Sequence, residues 1–331
     1  MTKTTFGIIG LGKMGGNLAL QAIDKNYQVT GYDPHAGKEI KQSSIQWANS
    51  LEELALQLPS PRIIFIYIPA GNAVDIILEQ LTGVLSKDDI IVDGGNSYWG
   101  DSIRRAEKLK ESGIWLIDCG TSGGVDGARN GACFMAGGEE EPMHYLEPIL
   151  KDLSVPGGYV HTGSPGSGHF VKLVHNGIEF GMLQAIGEGM DLLSHYREPL
   201  NFPDILHCWN NGSVIRSWLI ELMGKMYNEK NGFSHVPSYI EDTGEVNWLI
   251  NDAVHMEVPV PVIAQSVMQL FASRDNTQIW AKAIAMMRHG FGGHPFGEDE
   301  GIKRERKTGR VGDYPTDEVS KKENNLLQSA K

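Results

Sequence analysis

Cysteine is scarce in this chain of 331 residues, which has three cysteines, Cys119, Cys133 and Cys208. They form neither a Cys-x-x-Cys pair nor an even set, which argues against a disulfide framework and a structural zinc site and favours a reducing, cytoplasmic location. The sequence also lacks an apolar run of about 18 residues, the length that a membrane-spanning helix needs. Its N-terminus enters an apolar segment without a signal peptide. We therefore expect neither a membrane span nor export.

Positive charge is also in deficit, with 29 Lys and Arg against 41 Asp and Glu and a net charge of −12. This balance argues against a nucleic-acid or anionic-membrane partner, and a negatively charged substrate would need a local basic pocket. None of the 11 histidines lies in a His-Glu-x-x-His pattern, so no metal site is predicted. The length allows two domains.

What the sequence does contain is a glycine-rich turn in the context of a dinucleotide site. Residues 5–9 predict a buried strand, residues 17–26 a helix and residues 28–32 a second strand. The first strand is followed by Gly10, Leu11, Gly12, Lys13, Met14 and Gly15. In this Gly-x-Gly-x-x-Gly pattern the glycines permit the turn, the approach of a pyrophosphate and close helix packing, while the helix N-terminus attracts phosphate charge. The pattern predicts that these six residues bind a dinucleotide.

Asp33, at the end of the second predicted strand, bears on which dinucleotide binds. A carboxylate there accepts hydrogen bonds from a ribose 2′-hydroxyl and repels a 2′-phosphate. The next residues, Pro34 and His35, bring no arginine, so NAD is favoured over NADP. Lys38 leaves the use of NADP open. The alternative for Asp33 is an ordinary role in a turn.

Strand and helix patterns alternate through residues 1–165, which predicts an α/β domain with a Rossmann-type, doubly wound, mostly parallel sheet. Ligands bind beyond the carboxyl ends of the strands in such sheets. The residues that fall at these ends are Pro69, Asn96, Ser122, Gly123 and Gly124. They are candidate site residues, although tight strand-to-helix loops would account for some of the glycines.

Beyond a Gly- and Pro-rich segment at residues 156–168, strand patterns give way to successive helical patterns. We predict an NAD-binding domain over residues 1–165 and an all-α domain over residues 166–297. Residues 298–331 are rich in Lys, Glu, Asp and Gly, which predicts a charged, disordered tail.

The first helix of the predicted all-α domain carries three polar residues on one face. Lys172, Asn176 and Glu179 are spaced i, i+4 and i+7. A base, an amide and an acid in one line could act on a hydroxyl, a carboxylate and a carbanion. The alternative interpretation is a solvated polar face.

Several motifs together resemble the 6-phosphogluconate dehydrogenase family, in its short form. The resemblance covers residues 5 to about 296 and rests on the glycine-rich turn and on four further segments, at residues 93–97, 121–129, 168–179 and 288–294. The segment at 168–179, which contains His-Asn-Gly-Ile-Glu, is the most specific of them.

The resemblance implies oxidative decarboxylation of 6-phospho-D-gluconate to D-ribulose 5-phosphate and CO2 with reduction of NAD or NADP, a step of the pentose phosphate pathway. It implies that Lys172 is the general base, that Asn176 orients the reacting hydroxyl and that Glu179 protonates C1 of the enediol. Asn96 would also contact the cofactor. The residues implied in binding the sugar acid near the nicotinamide are Asn96, Ser122, Gly123, Gly124 and His175.

The resemblance further implies that Arg288 and His294 bind substrate in a neighbouring subunit, within a homodimer or homotetramer that shares its active sites. A helix-end cation that complements the helix dipole is the alternative for Arg288. Two positions depart from the family pattern: Phe180 replaces the usual tyrosine, and Glu245 replaces a lysine of the long form. Both changes remove a phosphate contact, which Arg274 could replace.

Two other functions stay open at this point. A dehydrogenase for an unphosphorylated or shorter 3-hydroxy acid is favoured by Phe180 and Glu245 and opposed by Arg288 and His294. A catalytically silent nucleotide-sensing protein is the alternative from another class. The intact polar stripe that begins at Lys172 argues against it.

Overall fold

Two compact units make up the chain, and the computed structural model describes residues 4–37, 40 and 43–308 of it. The first unit comprises Met1–Glu179 together with Thr243–Val260, and the second comprises Phe180–Asp242 together with Pro261–Lys331. We predicted a boundary after residue 165, whereas this division falls after Glu179 and groups the later segment Thr243–Val260 with the first unit.

The apolar runs of the first half form the strands of a single sheet. In the described residues these strands are β1 (Thr5–Ile9), β2 (Gln28–Tyr32), β3 (Gln46–Trp47), β4 (Ile63–Ile66), β5 (Ile90–Asp93), β6 (Trp115–Ser122), β7 (Ala132–Gly137) and β8 (Ser154–Gly163). They are ordered β3-β2-β1-β4-β5-β6-β7-β8. Neighbours from β3 to β6 are parallel, β6 and β7 are antiparallel, and β7 and β8 are parallel. The prediction of a mostly parallel sheet is confirmed, and the carboxyl ends of β1, β4, β5 and β6 meet at one edge.

Helices cover both faces of this sheet. Those of the first half are α1 (Lys13–Asp24), α2 (Leu51–Leu56), α3 (Asn72–Thr82), α4 (Trp99–Lys110), α5 (Gly124–Asn130) and α6 (Glu140–Leu153). The core residues of α1 and α6 pack in one apolar cluster, and those of α2, α3 and α4 pack in another. Along β4, Phe65 belongs to the first cluster, whereas Ile64 and Ile66 belong to the second. This alternation is the period of two that a strand imposes, so the sheet is buried on both sides.

The later described elements are helices, as predicted. They are α7 (Ser167–Ser194), α8 (Phe202–Asn210), α9 (Trp218–Lys230), α10 (Glu245–His255), α11 (Pro261–Arg274), α12 (Ile279–Gly292) and α13 (Glu300–Thr308). Within the second unit a small core forms around Met190, Phe202, Leu206 and Ile220. None of the helices in the described part of the chain combines the length and apolarity needed to cross a membrane.

Two elements contradict what we expected of their segments. The edge strand β8 contains Pro156, Gly157 and Gly158, which we interpreted as a domain boundary. A register shift in the β7–β8 ladder accommodates them, since Ala132 pairs with Ser154 but Phe134 pairs with Tyr159. The second element, α13, occupies part of the predicted disordered tail, and the remaining tail residues 309–331 lie outside the described residues.

Candidate active site

The glycine-rich turn has the geometry that a dinucleotide pyrophosphate requires. Gly10 has φ +86°, and a Cβ on it would lie 2.3 Å from the Tyr67 carbonyl oxygen. A Cβ on Gly15 would lie 2.0 Å from the Gly10 carbonyl oxygen, so α1 packs directly on the turn. A Cβ on Gly12 would meet nothing within 4 Å, which leaves the backbone open where α1 begins. The first N–H groups of α1 can therefore face a phosphate.

The Asp33 carboxylate is fastened to this turn. Its Oδ2 accepts a hydrogen bond from the Leu11 N–H at 2.8 Å, and its Oδ1 accepts one from the His35 N–H at 2.7 Å. Each oxygen keeps a further lone pair, so the carboxylate can still accept a hydrogen bond from a ribose hydroxyl. Lys38, which we considered as a residue that could permit the use of NADP, lies outside the described residues.

Tyr67, just after β4, joins the ends of neighbouring strands. Its backbone lies against Gly10, and its ring lies against Gly94. A Cβ on Gly94 would be only 2.5 Å from Cζ of the Tyr67 ring. Its hydroxyl is 3.2 Å from the Thr121 hydroxyl, and burial raises the pKa of Tyr67 so that it stays neutral. The dinucleotide turn, the Asn96 loop and the end of β6 therefore lie side by side at one edge of the sheet, as predicted.

The half-buried Asn96 sits in a loop that buried charges hold in place. The Asp93 carboxylate accepts a hydrogen bond from the Ser97 hydroxyl at 2.7 Å. The buried Arg105 guanidinium lies 3.8 Å from the same carboxylate oxygen and donates to the Gly71 carbonyl at 2.9 Å. Arg105 thus ties the loop after β4 to the loop after β5. This connection could not be predicted from the sequence, where Arg105 has the pattern of an ordinary residue in an amphipathic helix.

Lys172 is buried in the first turns of α7, with 9% of the residue exposed. Its Nζ donates to Asn176 Oδ1 at 2.6 Å and lies 3.4 Å from His175 Nδ1. Burial lowers the pKa of Lys172 below its ordinary value, and the nearby carboxylates of Glu179 and Glu245 partly oppose this effect. A lysine amine with a lowered pKa is a candidate general base.

His175 connects the Lys172 amine to the end of β6. Its Nε2 is 3.1 Å from the Ser122 hydroxyl, while its Nδ1 is 3.8 Å from Glu179 Oε2. Beyond Ser122 the chain turns through Gly123 and Gly124, whose φ values of +110° and +59° belong to the left-handed region. The structure therefore brings Ser122, His175, Asn176 and Lys172 together. The line of polar residues along α7 is more than a solvated face, because its first two members are buried.

Helix α10 belongs to the first unit, together with the sheet and the first turns of α7. The Asp252 carboxylate, on α10, accepts hydrogen bonds from the Tyr98 hydroxyl at 2.9 Å and the Trp99 indole N–H at 2.7 Å. This contact holds α10, and with it Glu245 at its first position, beside the loop that contains Asn96. We did not foresee it, since about 150 residues separate the partners along the chain and α10 has no local signal for packing on the sheet.

Other predicted site residues lie in the second unit. Arg288 is exposed on α12, and His294 follows that helix and accepts a hydrogen bond from His289 through its carbonyl oxygen. Arg274, considered as a substitute phosphate ligand, forms an ion pair with Asp242 at 2.8 Å. No group of three or more His, Cys, Asp or Glu side chains in the described residues could hold a metal ion.

A glycine-rich turn on a mostly parallel sheet, with a buried lysine in the same unit, defines the class of Rossmann-type, NAD(P)-binding oxidoreductases. Two family models match the chain: the NAD-binding domain of 6-phosphogluconate dehydrogenase over residues 5–163, and the 6-phosphogluconate dehydrogenase C-terminal domain over residues 168–301. The chain therefore belongs to the 6-phosphogluconate dehydrogenase family, which confirms the resemblance seen in the sequence.

Individual relatives agree with this assignment. The chain is 41% identical to YqeC of Bacillus subtilis, a match that covers 87% of this chain and 97% of that protein. It is 37% identical to the NAD(+)-dependent, decarboxylating 6-phosphogluconate dehydrogenase of Haloferax volcanii, again over 87% of this chain and 97% of the relative. Among solved structures, the Plasmodium falciparum 6-phosphogluconate dehydrogenase has a TM-score of 0.76 at 26% identity and covers 98% of this chain and 69% of that one.

Proposed function

We propose that this protein oxidises and decarboxylates 6-phospho-D-gluconate to D-ribulose 5-phosphate and CO2, with NAD preferred over NADP. The observation that carries the proposal is the buried Lys172 amine, 2.6 Å from Asn176 Oδ1, in the same unit as an intact dinucleotide turn. Bound at that turn, NAD would accept a hydride from C3 of the sugar acid. An enzyme with this activity would serve the pentose phosphate pathway.

Lys172 would act first as a base. Because burial lowers the pKa of Lys172, a neutral amine is more accessible than in water and can take the proton from the 3-hydroxyl. Asn176 would orient that hydroxyl. The lysine, now protonated, would then donate a hydrogen bond to the 3-keto oxygen and draw electrons towards it while CO2 leaves.

Glu179 would complete the reaction by protonating C1 of the enediol. It lies one helical turn beyond His175 and is half-exposed, so it can exchange its proton with water between turnovers. Ser122 and His175 would bind the sugar acid near the nicotinamide, together with Asn96 and the backbone of Gly123 and Gly124.

Asp33 supports the preference for NAD. Its carboxylate, held by two backbone N–H groups, would accept a hydrogen bond from a ribose 2′-hydroxyl and would repel a 2′-phosphate. We also infer a cytoplasmic location from the three free cysteines, Cys119, Cys133 and Cys208, which suit a reducing compartment.

We infer that the active protein is a homodimer or homotetramer whose subunits share active sites. None of the described side chains of α12 is buried, although the helix is largely apolar. Trp280, Met286 and Phe291 are 62%, 66% and 77% exposed. A second copy that covers this surface would remove it from water and would bring Arg288 and His294 to a neighbouring site. An arginine there could bind the substrate phosphate bidentately.

One alternative reaction has a specific observation in its favour. Glu245 places a negative charge near Lys172, and Phe180 offers no hydroxyl to a phosphate. A dehydrogenase for an unphosphorylated 3-hydroxy acid would tolerate both residues. Turnover of gluconate, 3-hydroxyisobutyrate or 3-hydroxypropionate in preference to 6-phosphogluconate would favour this alternative.

The reaction is tested by identifying its products with the wild-type protein and with Lys172→Met. We expect the wild type to release CO2 and ribulose 5-phosphate in equal amounts, and we expect Lys172→Met to lose turnover while it still binds NADH. Unchanged turnover in Lys172→Met would overturn the assignment of the base. NADH binding without turnover of any sugar acid by the wild type would favour a nucleotide-sensing protein.

A further inference from the structure

One side of β6 contacts the beginning of α7 at every second residue. Asp118, Gly120 and Ser122 alternate along the strand and therefore face the same way. Asp118 contacts the first turn of α7, Gly120 lies against Lys172, and the Ser122 hydroxyl is 3.1 Å from His175 Nε2. This strand face thus touches the segment of α7 that carries the candidate base.

Asp118 holds the helix start in place. Its Oδ1 accepts a hydrogen bond from the Gly166 N–H at 2.6 Å, and its Oδ2 accepts one from the His169 N–H at 2.7 Å. The residue is 1% exposed, and burial raises the pKa of its carboxyl. With the first turn fixed in this way, the position of Lys172 along and around the helix follows.

Gly120 leaves the space that the Lys172 stem occupies. A Cβ on Gly120 would lie 2.4 Å from Lys172 Cβ and 2.9 Å from Lys172 Cγ, and 3.2 Å from the Gly168 carbonyl oxygen. Unbonded carbon atoms come no closer than about 3.5 Å without repulsion. The base therefore lies directly on the β6 backbone, and no side chain fits between them.

We propose that Gly120 is a positioning residue for the Lys172 amine: the missing side chain lets the lysine stem lie against β6 and keeps Nζ in hydrogen-bond contact with Asn176. The inference rests on the proposed role of Lys172 as the base. An added methyl group would push the stem away from β6, and the amine would leave both Asn176 and its buried surroundings.

The burial of the amine and the titratable groups around it decide in which direction the pKa of Lys172 moves when the amine is displaced. Glu179 and His175 face it from α7, Glu245 acts on it from α10, and Cys133 acts on it from β7. Burial lowers the pKa of Lys172, whereas the two carboxylates and the thiol raise it. A displaced, more hydrated amine loses the lowering effect, so the pKa of Lys172 moves back up. At neutral pH less of the base would then be neutral.

The test compares Gly120→Ala with Gly138→Ala as a matched control. A Cβ on Gly138 would lie 2.2 Å from Ile117 Cδ1, on the opposite side of β6, where the flexible end of the isoleucine side chain can move aside without touching Lys172. Three quantities are measured for both variants: thermal stability with NADH binding, the pH profile of kcat/KM, and the pH midpoint for labelling of the Lys172 amine by an amine-selective reagent, read by mass spectrometry. The labelling midpoint reports the amine itself and does not require turnover.

We expect Gly120→Ala to bind NADH, to lose on the order of 100-fold in kcat because the base is misplaced, and to shift both the acid limb of kcat/KM and the labelling midpoint to higher pH. Gly138→Ala should keep both at their wild-type values. An unshifted midpoint in Gly120→Ala, or an equal shift in Gly138→Ala, overturns the proposal. If the wild type does not turn over 6-phosphogluconate, the proposed function fails, and the labelling midpoints still decide the positioning role.

If Gly120→Ala does not fold, the double variant Gly120→Ala/Lys172→Gly decides the question. It removes the Lys172 atoms that the new methyl group would meet, and it is compared with Lys172→Gly alone. Recovery of a folded, NADH-binding protein in the double variant supports the contact between residues 120 and 172. A double variant that stays unfolded while Lys172→Gly folds contradicts it.

Discussion

Lys172 Nζ and Asn176 Oδ1 lie 2.6 Å apart within one turn of α7, and the two residues are 9% and 6% exposed. The amide oxygen has no charge, so it orients the amine without stabilising the ammonium form as strongly as a carboxylate would. The pair therefore combines a defined direction for Nζ with a lowered pKa of Lys172.

Replacing the amide by a carboxylate should leave less of the Lys172 amine neutral at a given pH. In Asn176→Asp a negative charge next to Nζ would raise the pKa of Lys172, so the acid limb of the kcat/KM profile should move to higher pH. Asn176→Leu is the control, because it removes the acceptor without adding charge. An acid limb that moves equally in both variants, or in neither, would contradict the role given to the uncharged amide.

Removing the amine should change how stability depends on pH. The pKa of Lys172 is lowered in the folded protein, so at pH values between the folded and unfolded pKa the unfolded chain binds more protons and wild-type stability rises with pH. Lys172→Met abolishes this contribution. We expect the variant to gain stability relative to the wild type at neutral pH, and the gain to shrink as the pH approaches about 10.4, the ordinary lysine pKa.

Urea unfolding across this pH range measures the effect, with Lys151→Met as the control. Lys151 is exposed on α6 and pairs with Glu147 at 2.6 Å. The free energy of unfolding of Lys151→Met should differ little from that of the wild type, because surface ion pairs contribute little to stability. A stability difference for Lys172→Met that does not vary with pH would mean that the amine is not buried enough to have a lowered pKa.

Asp33 should determine the choice of cofactor. Loss of one charge-assisted hydrogen bond is worth about 1.5–3 kcal/mol, so kcat/KM for NAD should fall about 10-fold to 100-fold in Asp33→Ala. Asp33→Asn keeps an acceptor for the Leu11 N–H but removes the charge, so it should retain more NAD activity and improve the use of NADP. An unchanged NAD to NADP ratio in both variants would show that Asp33 serves only the turn.

A shared active site should appear as complementation. Lys172→Met and Arg288→Ala are each expected to be inactive, because each removes one part of every site. Subunits mixed after reversible dissociation should regain activity, since some sites would combine the intact Lys172 of one chain with the intact Arg288 of the other. If mixed oligomers form but show no activity, Lys172 and Arg288 of the same chain serve the same site, which contradicts the shared active site. Light scattering on the wild type provides the subunit number.

Local patterns in the sequence predicted the dinucleotide turn, the parallel sheet and the line of polar residues on α7. These features depend on neighbours within a few residues: Gly10, Gly12 and Gly15 act within one turn, and Lys172 and Asn176 are one helical turn apart. The period of the apolar residues and the spacing of the motif residues therefore suffice to predict these features.

Contacts between distant segments could not be predicted in this way. The space at Gly120, the bond from Asp118 to the start of α7 and the docking of Asp252 on Tyr98 all depend on which strand or helix lies opposite. The strand β8 was missed for a related reason, because its glycines and proline are accommodated by a register shift against β7. A single sequence does not encode such pairings in its local pattern.

The most direct measurement is the initial rate of reduced-cofactor formation on 6-phosphogluconate, with NAD and NADP run side by side and CO2 assayed in the same samples. We expect turnover with one CO2 released for each cofactor reduced, and a higher kcat/KM with NAD. Faster turnover with NADP would keep the reaction and contradict the role of Asp33. No turnover with either cofactor would contradict the proposed function.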